Sequence, residues 1–360
     1  MDSLVGFFSS WVIFASIFVL HLLLPARRVT GYVKAEETNE YLKYRLNGPL
    51  VFVVSIGVWA VLGFIGVMPW DWLWHQRWNA VLGAIVLGVL ISIGVVVTAP
   101  PQGKMWLAEL YKGRRVNPQL FNRRVDAKMV LYLLGAVLLE INLLSFAAHH
   151  FLAYPNDPSS GVVLYVVFFT WFVCDYLIFE RVHLYTYDLF AERVGFKLVW
   201  GCLAWYPYFY VVGLWALADD PNPQSPTWFL ALAGAIFFIG WILARGSNMQ
   251  KFSFKADPDR TFLCRFKSES LSNGEQQILC SGFWGVSRHI NYLGEILMAI
   301  GLTLVLGWPL EAAPWLYPVY YIALLVPRQI QDDKRCAEKY GELWQQYCER
   351  VPWRIVPRIY

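Results

Sequence analysis

An all-α membrane protein, built as a polytopic bundle of nine to ten helices, is the fold class that three observations predict. Apolar residues make up 57% of the 360-residue chain and charged residues only 16%, and the mean hydropathy is +0.42, a balance foreign to chains that fold in water. Several apolar runs reach the roughly 20 residues needed to cross a ~30 Å hydrocarbon layer. Those runs lack period-two alternation, and lipid leaves only helices or closed barrels to satisfy the backbone amides, so the runs read as helices.

Taken in order, the spans fall at about 7–24, 50–69, 79–99, 129–148, 161–180, 196–218, 228–244, 283–308 and 314–327. The first continues past signal-peptide length without a small-residue cleavage pattern and is expected to be retained. The eighth opens on Arg288-His289 and the ninth is short, so both are expected to be broken, tilted or partly lining a cavity. Of the 30 Lys and Arg residues, 28 fall in alternate segments at 25–49, 100–128, 181–197, 245–282 and 328–360. The positive-inside rule therefore predicts a cytoplasmic C-terminus and an N-terminus on the opposite face. The remaining loops, 69–78, 149–160 and 219–227, are short and rich in Pro, Asn and Asp and read as turns.

A formal charge of +4 is small for this length and argues against a nucleic-acid partner. The cysteines, Cys174, Cys202, Cys264, Cys280, Cys336 and Cys348, show no close pair of the kind that zinc or a redox disulfide uses. Reduced thiols and no metal are expected.

Polar residues concentrate near the late cytoplasmic segments. Lys251 and Lys255 stand at i and i+4, so on a helix they present two ammonium groups on one face, to lipid phosphates or to a phosphorylated ligand. Arg288, His289, Asn291 and Glu295 crowd into eight residues at the start of the eighth span, where charge in lipid is costly and a polar cavity is the better reading. Gly282 and Gly285 would let a ligand approach the backbone, and Trp284 offers a flat face. Cys336, Tyr340, Leu343, Trp344 and Tyr347 recur at helical spacing as an amphipathic stripe, expected to lie on the bilayer or to wall a ligand. Acids complete the set: Glu140 in the fourth span, Asp175 and Glu180 in the fifth, and Asp188 just after it. A desolvated acid tends to stay protonated, which a proton donor needs.

From about Arg114 to Tyr360, this ordered set resembles the sterol carbon–carbon double-bond reductases, the delta-14, delta-7 and delta-24 enzymes, including the reductase domain of the lamin B receptor. The resemblance rests on Asn248 with Gln250-Lys251, on Gly282 to Gly294 with Arg288-His289 and Asn291-Tyr292, on Cys336 with Lys339-Tyr340-Gly341, and on Arg350-Val351-Pro352-Trp353-Arg354-Ile355-Val356-Pro357 before Tyr360. It implies NADPH-dependent reduction of a sterol or sterol-like lipid, with the cofactor in a cytoplasm-facing pocket of the C-terminal half. Carried over by motif, Lys251 and Lys255 would face phosphate, and Trp284, Arg288, Asn291 and Tyr292 would line the nicotinamide end. Asp332, Cys336, Tyr340 and Tyr347 would hold the rest, with Leu279 packed on the cofactor. Asp175, Glu180 and Asp188 are the candidate proton donors. Residues 1–128 would be N-terminal transmembrane helices and 129–360 the catalytic region. Beyond a sterol and membrane lipids, no obligatory protein partner is expected, and a bacterial inner membrane and the endoplasmic reticulum fit equally.

The chain departs from the family pattern at identifiable places. Lys255 stands where members usually have Arg, and Pro327-Arg328-Gln329-Ile330-Gln331-Asp332 replaces a His-Arg-Glu-x-Arg-Asp run, which removes one phosphate-side cation. A Gly-Asp-Leu-x-Trp-x-Pro segment reads Gly201-Cys202-Leu203-Ala204-Trp205-Tyr206-Pro207, and Phe172 replaces a tyrosine. Isoprenylcysteine and phospholipid methyltransferases share part of the C-terminal pattern, but their cofactor, S-adenosylmethionine, has no phosphates for Lys251 and Lys255 to meet. A sterol-binding protein without catalysis is the third reading.

Overall fold

The computed structural model describes residues 2–35, 39–263 and 265–360; Cys264 lies outside them. In chain order, α1 (Asp2–Leu23), α2 (Gly48–Phe64), α3 (Trp72–Val97), α4 (Ala127–Ala153), α5 (Ser160–Ile178), α6 (Thr227–Ala256), α7 (Ile290–Val305) and α8 (Ala312–Tyr340) occupy eight of the predicted spans. Among the described residues, α1, α3, α4, α5 and α6 are long and apolar enough to cross a membrane, while α2 and α7 are apolar but shorter. The chain is a mostly helical, multi-pass membrane protein.

The predicted span at 196–218 is broken. It forms a helix at Phe196–Trp200, a π-turn at Gly201–Trp205 and short helices at Tyr206–Phe209 and Val212–Leu217. Such irregular backbone is tolerated at depth only where protein covers it. Gly135 of α4 provides the cover, since a Cβ there would fall 2.5 Å from the Cys202 carbonyl oxygen and from the Tyr206 ring. In α8, Pro318 and Pro327 lie within a continuous helix. Its second half, from Arg328 on, is polar.

Two compact units divide the chain, Met1–Asn222 and Pro223–Tyr360. In the first, α1 lies on α3 through polar contacts that need no water. Ser10 Oγ donates to the Ala80 carbonyl at 2.8 Å, Trp11 Nε1 donates to the Gly83 carbonyl at 2.8 Å, and Gly83 admits the Phe7 carbonyl where a Cβ would stand. An antiparallel ribbon, β1 (Arg27–Lys34) and β2 (Tyr41–Leu46), follows α1. Its inward positions Val29, Leu42 and Tyr44 pack with Met129, Leu184 and Leu189. This ribbon departs from the all-α expectation because its period-two pattern is short and interleaved with basic residues. Arg45, at the end of β2, donates to the His21 and Leu22 carbonyls (2.9 and 3.1 Å) and so closes the C-terminus of α1.

In the second unit, α6 and α7 meet backbone to backbone. A Cβ on Gly240 would fall 2.6 Å from the Gly294 carbonyl oxygen, and one on Gly301 would fall 2.7 Å from Phe237 N. Small residues at a membrane helix interface replace the hydrophobic drive, which lipid does not supply, with close van der Waals contact. A second ribbon, β3 (Ser270–Ser272) and β4 (Gln277–Leu279), follows α6. Gly341, with φ +55°, ends α8 and turns the chain into α9 (Glu342–Arg350).

Candidate functional site

In the second unit the site is built around the 282–285 turn. Gly282 has φ +61°, and its missing side chain is the space that the amide of Gln250, buried on α6, occupies. Gln250 Oε1 accepts from Phe283 N at 3.0 Å and Nε2 donates to the Ser281 carbonyl at 3.2 Å. Trp284 is thereby docked on α6, where its Nε1 donates to the Ser247 carbonyl at 2.9 Å. Leu279 and Phe254 pack beside it, and Lys251 Nζ stands 4.8 Å from the centre of its ring. Tyr347 of α9 donates from its hydroxyl to the Trp284 carbonyl at 2.8 Å.

The amphipathic stripe is interior rather than interfacial. Leu343, Trp344 and Tyr347, with Cys336, Tyr340 and Cys348 against them, pack on Ile278 and Cys280 at the second ribbon. Burial pushes the Cys336 thiol up to about 12, so it is a thiol rather than a thiolate at neutral pH. Lys255 lies within electrostatic range of Lys251, Lys339 and Asp332 and beside Cys336. Three lysine side chains thus gather near Asp332.

Arg288 and His289 precede α7 and are both buried. Their backbone N–H groups donate to the carbonyls of Trp353 and Arg354 at 3.0 and 2.7 Å, and Ser287 Oγ donates to the Ile355 carbonyl at 2.9 Å, which explains why the C-terminal motif and the Arg288-His289 motif belong together. The shared partner of their side chains is Asp333: His289 Nε2 lies 3.1 Å away and Arg288 at 3.5 Å, while Gln329 Nε2 donates to it at 2.7 Å. Tyr292 stacks on the His289 ring at 5.1 Å. Arg288 Nε and Asn291 Oδ1 are buried without a hydrogen-bond partner.

Lys251, Lys255, Leu279, Trp284, Arg288, Asn291, Tyr292, Asp332, Cys336, Tyr340 and Tyr347 therefore all fall among the elements that meet at this end of the unit. Sequence reasoning assigned no place in the site to Asp333, nor to Gln329 and Lys339, which it quoted only within motifs. Asp332 and Asp333 are adjacent, and neighbours on a helix point about 100° apart, so only the packing tells which one meets Arg288. The i, i+4 spacing of Gln329 and Asp333 was the available signal.

The candidate donors lie in the first unit, where α5 ends at Ile178 and Glu180 opens a separate short helix, Glu180–His183. Glu180 is therefore outside the span expected to contain it. Its carboxylate accepts from Gly48 N, the first residue of α2, at 3.2 and 3.3 Å, and fills space that a side chain at Gly48 would need. Burial raises its pKa from the ordinary 4.5 to about 7, with the Gly48 N–H working in the opposite direction. The backbone carbonyls of Asp188 and Leu189 each accept from the buried Lys128 Nζ at 2.9 Å. Glu180, Asp188, Tyr206 and Cys202 lie within electrostatic range of Tyr176, whose ring sits 4.1 Å from His183. Asp175, one residue earlier, acts instead on Cys174 together with Glu140. Glu140 itself accepts from Thr170 Oγ1 at 2.6 Å.

A model of the Ergosterol biosynthesis ERG4/ERG24 family matches residues 2–360. The chain belongs to this family. Membership extends to the N-terminal helices, which carry none of the motifs on which the resemblance rested. Relatives of this ERG4/ERG24 chain include the Delta(14)-sterol reductase of Arabidopsis thaliana, 28% identical, the match covering 94% of this chain and 91% of that one. The mouse Delta(14)-sterol reductase is 31% identical, with coverage of 94% and 82%. The Delta(14)-sterol reductase of the bacterium Methylotuvimicrobium alcaliphilum is 28% identical, with coverage of 99% and 83%.

Proposed function

We propose that this ERG4/ERG24 protein reduces a carbon–carbon double bond of a sterol or sterol-like lipid with NADPH. The gathering of Lys251, Lys255 and Lys339 around Asp332 supports the cofactor reading. Like charges at close range cost free energy unless a polyanion lies among them, and a phosphate-bearing cofactor is one. S-adenosylmethionine is not, so the methyltransferase alternative loses its support. Lys339 also supplies a cation for the one missing from the 327–332 run.

The residues fit such a cofactor. The lysines suit its phosphates, the Trp284 and Tyr292 rings suit its flat ends, and the Asn291 Oδ1 and Arg288 Nε atoms left without partners suit a carboxamide. NADPH, when bound, supplies the hydride. An isolated alkene is a poor hydride acceptor, so the chain's own task is to protonate it first and to shield the carbocation from water. Glu180 is the best placed of the three acids for that step. Its nearest partner is an amide N–H, and its proton is exchangeable near neutral pH. Asp175 and Asp188 are the next candidates, and 129–360 remains the proposed catalytic region of a bundle of nine to ten helices.

Incubating membranes with NADPH and a panel of unsaturated sterols, followed by mass spectrometry, tests the function. The names of the relatives put a delta-14 sterol first in that panel. A product heavier by two hydrogens is expected, and methyl transfer or no conversion of any sterol overturns the reading. Lys251→Ala is expected to weaken NADPH binding by about 1–3 kcal/mol, the range for charge-assisted hydrogen bonds, with the stability of the ligand-free protein unchanged. Calorimetry on detergent-purified protein reads the first quantity and thermal unfolding the second. A large loss of stability instead would make Lys251 a lipid anchor.

The charge asymmetry supports a cytoplasmic C-terminus, with the turn around Asn222 on the opposite face. A single cysteine at Asn222, with the native cysteines replaced, is expected to react with an impermeant reagent from outside intact cells. Labelling from the cytoplasmic side alone would reverse the topology.

A further inference from the structure

One polar cluster of the first unit plays no part in the proposed reaction. Asp71 occupies the N-cap position of α3 but makes no side-chain capping bond. Its Oδ2 instead faces two imidazoles, His75 Nε2 at 3.0 Å and His149 Nδ1 at 3.5 Å. The donor atoms of all three residues lie within 4.8 Å of one another. His149, on the last turns of α4, also meets Asp219 Oδ1 through Nε2 at 2.7 Å. Its ring is stacked on Trp74 at 4.7 Å, and Arg77 covers Trp74 at 3.7 Å.

A neutral imidazole carries one N–H, yet His149 has a carboxylate at each nitrogen. Either neutral tautomer therefore turns a lone pair on a carboxylate oxygen. A second proton would relieve this conflict, and so would a divalent cation between Nδ1 and Asp71. His75 Nε2 converges on the same Asp71 oxygen and supplies such a cation with a third ligand. Metal–ligand bonds of about 2.0–2.1 Å in a tetrahedral set put neighbouring donor atoms roughly 3.3 Å apart; the two separations to Asp71 Oδ2, 3.0 and 3.5 Å, bracket that value, and all three donor atoms lie within 4.8 Å of one another. Asp219 then serves the role that carboxylates take behind metal-bound histidines: it fixes Nε2–H and leaves Nδ1 free to ligate.

We propose that Asp71, His75 and His149 bind one divalent ion of the zinc class, with Asp219 orienting His149 and solvent taking the fourth position beside the 59% exposed His75 side chain. The ion would clamp the start of α3 to the end of α4. No cysteine spacing announces the site, because its ligands come from two helices far apart in sequence.

The test uses the full chain, purified in detergent with a histidine-free tag and stripped with chelator. One zinc per chain by elemental analysis is expected, together with a Tm rise of about 4 °C when zinc is at roughly a hundred times its Kd. Cobalt in its place should give visible d–d bands. All three signals should vanish in His75→Ala, whose exposed side chain is dispensable for packing, and in His75→Gln. Asp219→Asn should retain the site with about 10–100-fold weaker binding. Zinc content or a Tm response equal in wild type and His75→Ala overturns the proposal. So does a Tm indifferent to both zinc and chelator.

Discussion

Glu180→Gln is expected to lower turnover of an accepted sterol by about 10²- to 10⁴-fold, the usual contribution of a positioned general acid, while NADPH binding stays at its wild-type value. The glutamine keeps an oxygen to accept from Gly48 N but has no proton of suitable acidity to give. The same substitution should change the pH dependence of stability. In the folded state Glu180 holds its proton up to about pH 7, against 4.5 as its ordinary value. Between those values the folded chain binds more protons than the unfolded one, so stability from this group is full below 4.5 and is lost as pH rises through 7. The glutamine variant lacks that loss. It should therefore be more stable than wild type at pH 8, by a margin of order 3 kcal/mol, and the margin should close towards pH 4.5. Single-turnover assays and thermal unfolding across that range check both parts. Normal turnover in the variant would move the donor to Asp175 or Asp188, each tested as its Asn variant, and then to Tyr176.

The second large effect is structural and compares one substitution at two helical glycines. Gly294→Ala should destabilise the protein by about 3 kcal/mol, the upper end of overpacking costs. Its Cβ would fall 2.6 Å from the Gly240 carbonyl oxygen and nearer still to Ala244 N, and neither backbone can move without parting α6 from α7. Gly57 of α2 has open space around it, so Gly57→Ala should be neutral or stabilise by about 0.5–1 kcal/mol through helix propensity alone. Thermal unfolding in detergent measures both. Equal shifts in the two variants would mean that the α6–α7 contact tolerates a methyl group and does not hold the second unit together.

Hydrophobic runs are local properties of the chain, and they suffice to read a mostly helical, multi-pass membrane protein. Motif spacing was equally legible. Lys251, Trp284, Arg288, Asn291 and Tyr347 were all marked by their motifs, and the structure brings them to one end of one unit.

What the sequence could not determine depends on partners distant along the chain. Pro207 marks the break at 201–205 locally, since it has no N–H to donate one turn back, but the break is accommodated because Gly135 allows that backbone against α4. The interior placement of the Trp344 stripe depends on a ribbon of three-residue strands, too short to show a period. Asp333 outranks Asp332 as the partner of Arg288 and His289 because of a rotation of about 100° about the axis of α8. Glu180 owes its retained proton to burial, which outweighs the opposing hydrogen bond from Gly48 N, 132 residues away along the chain. Sequence by itself determined the solvent, the helices and the kinds of side chain available for chemistry. Tertiary structure alone decided which of them meet and what protonation they hold, because hydrogen bonds and desolvation act through space.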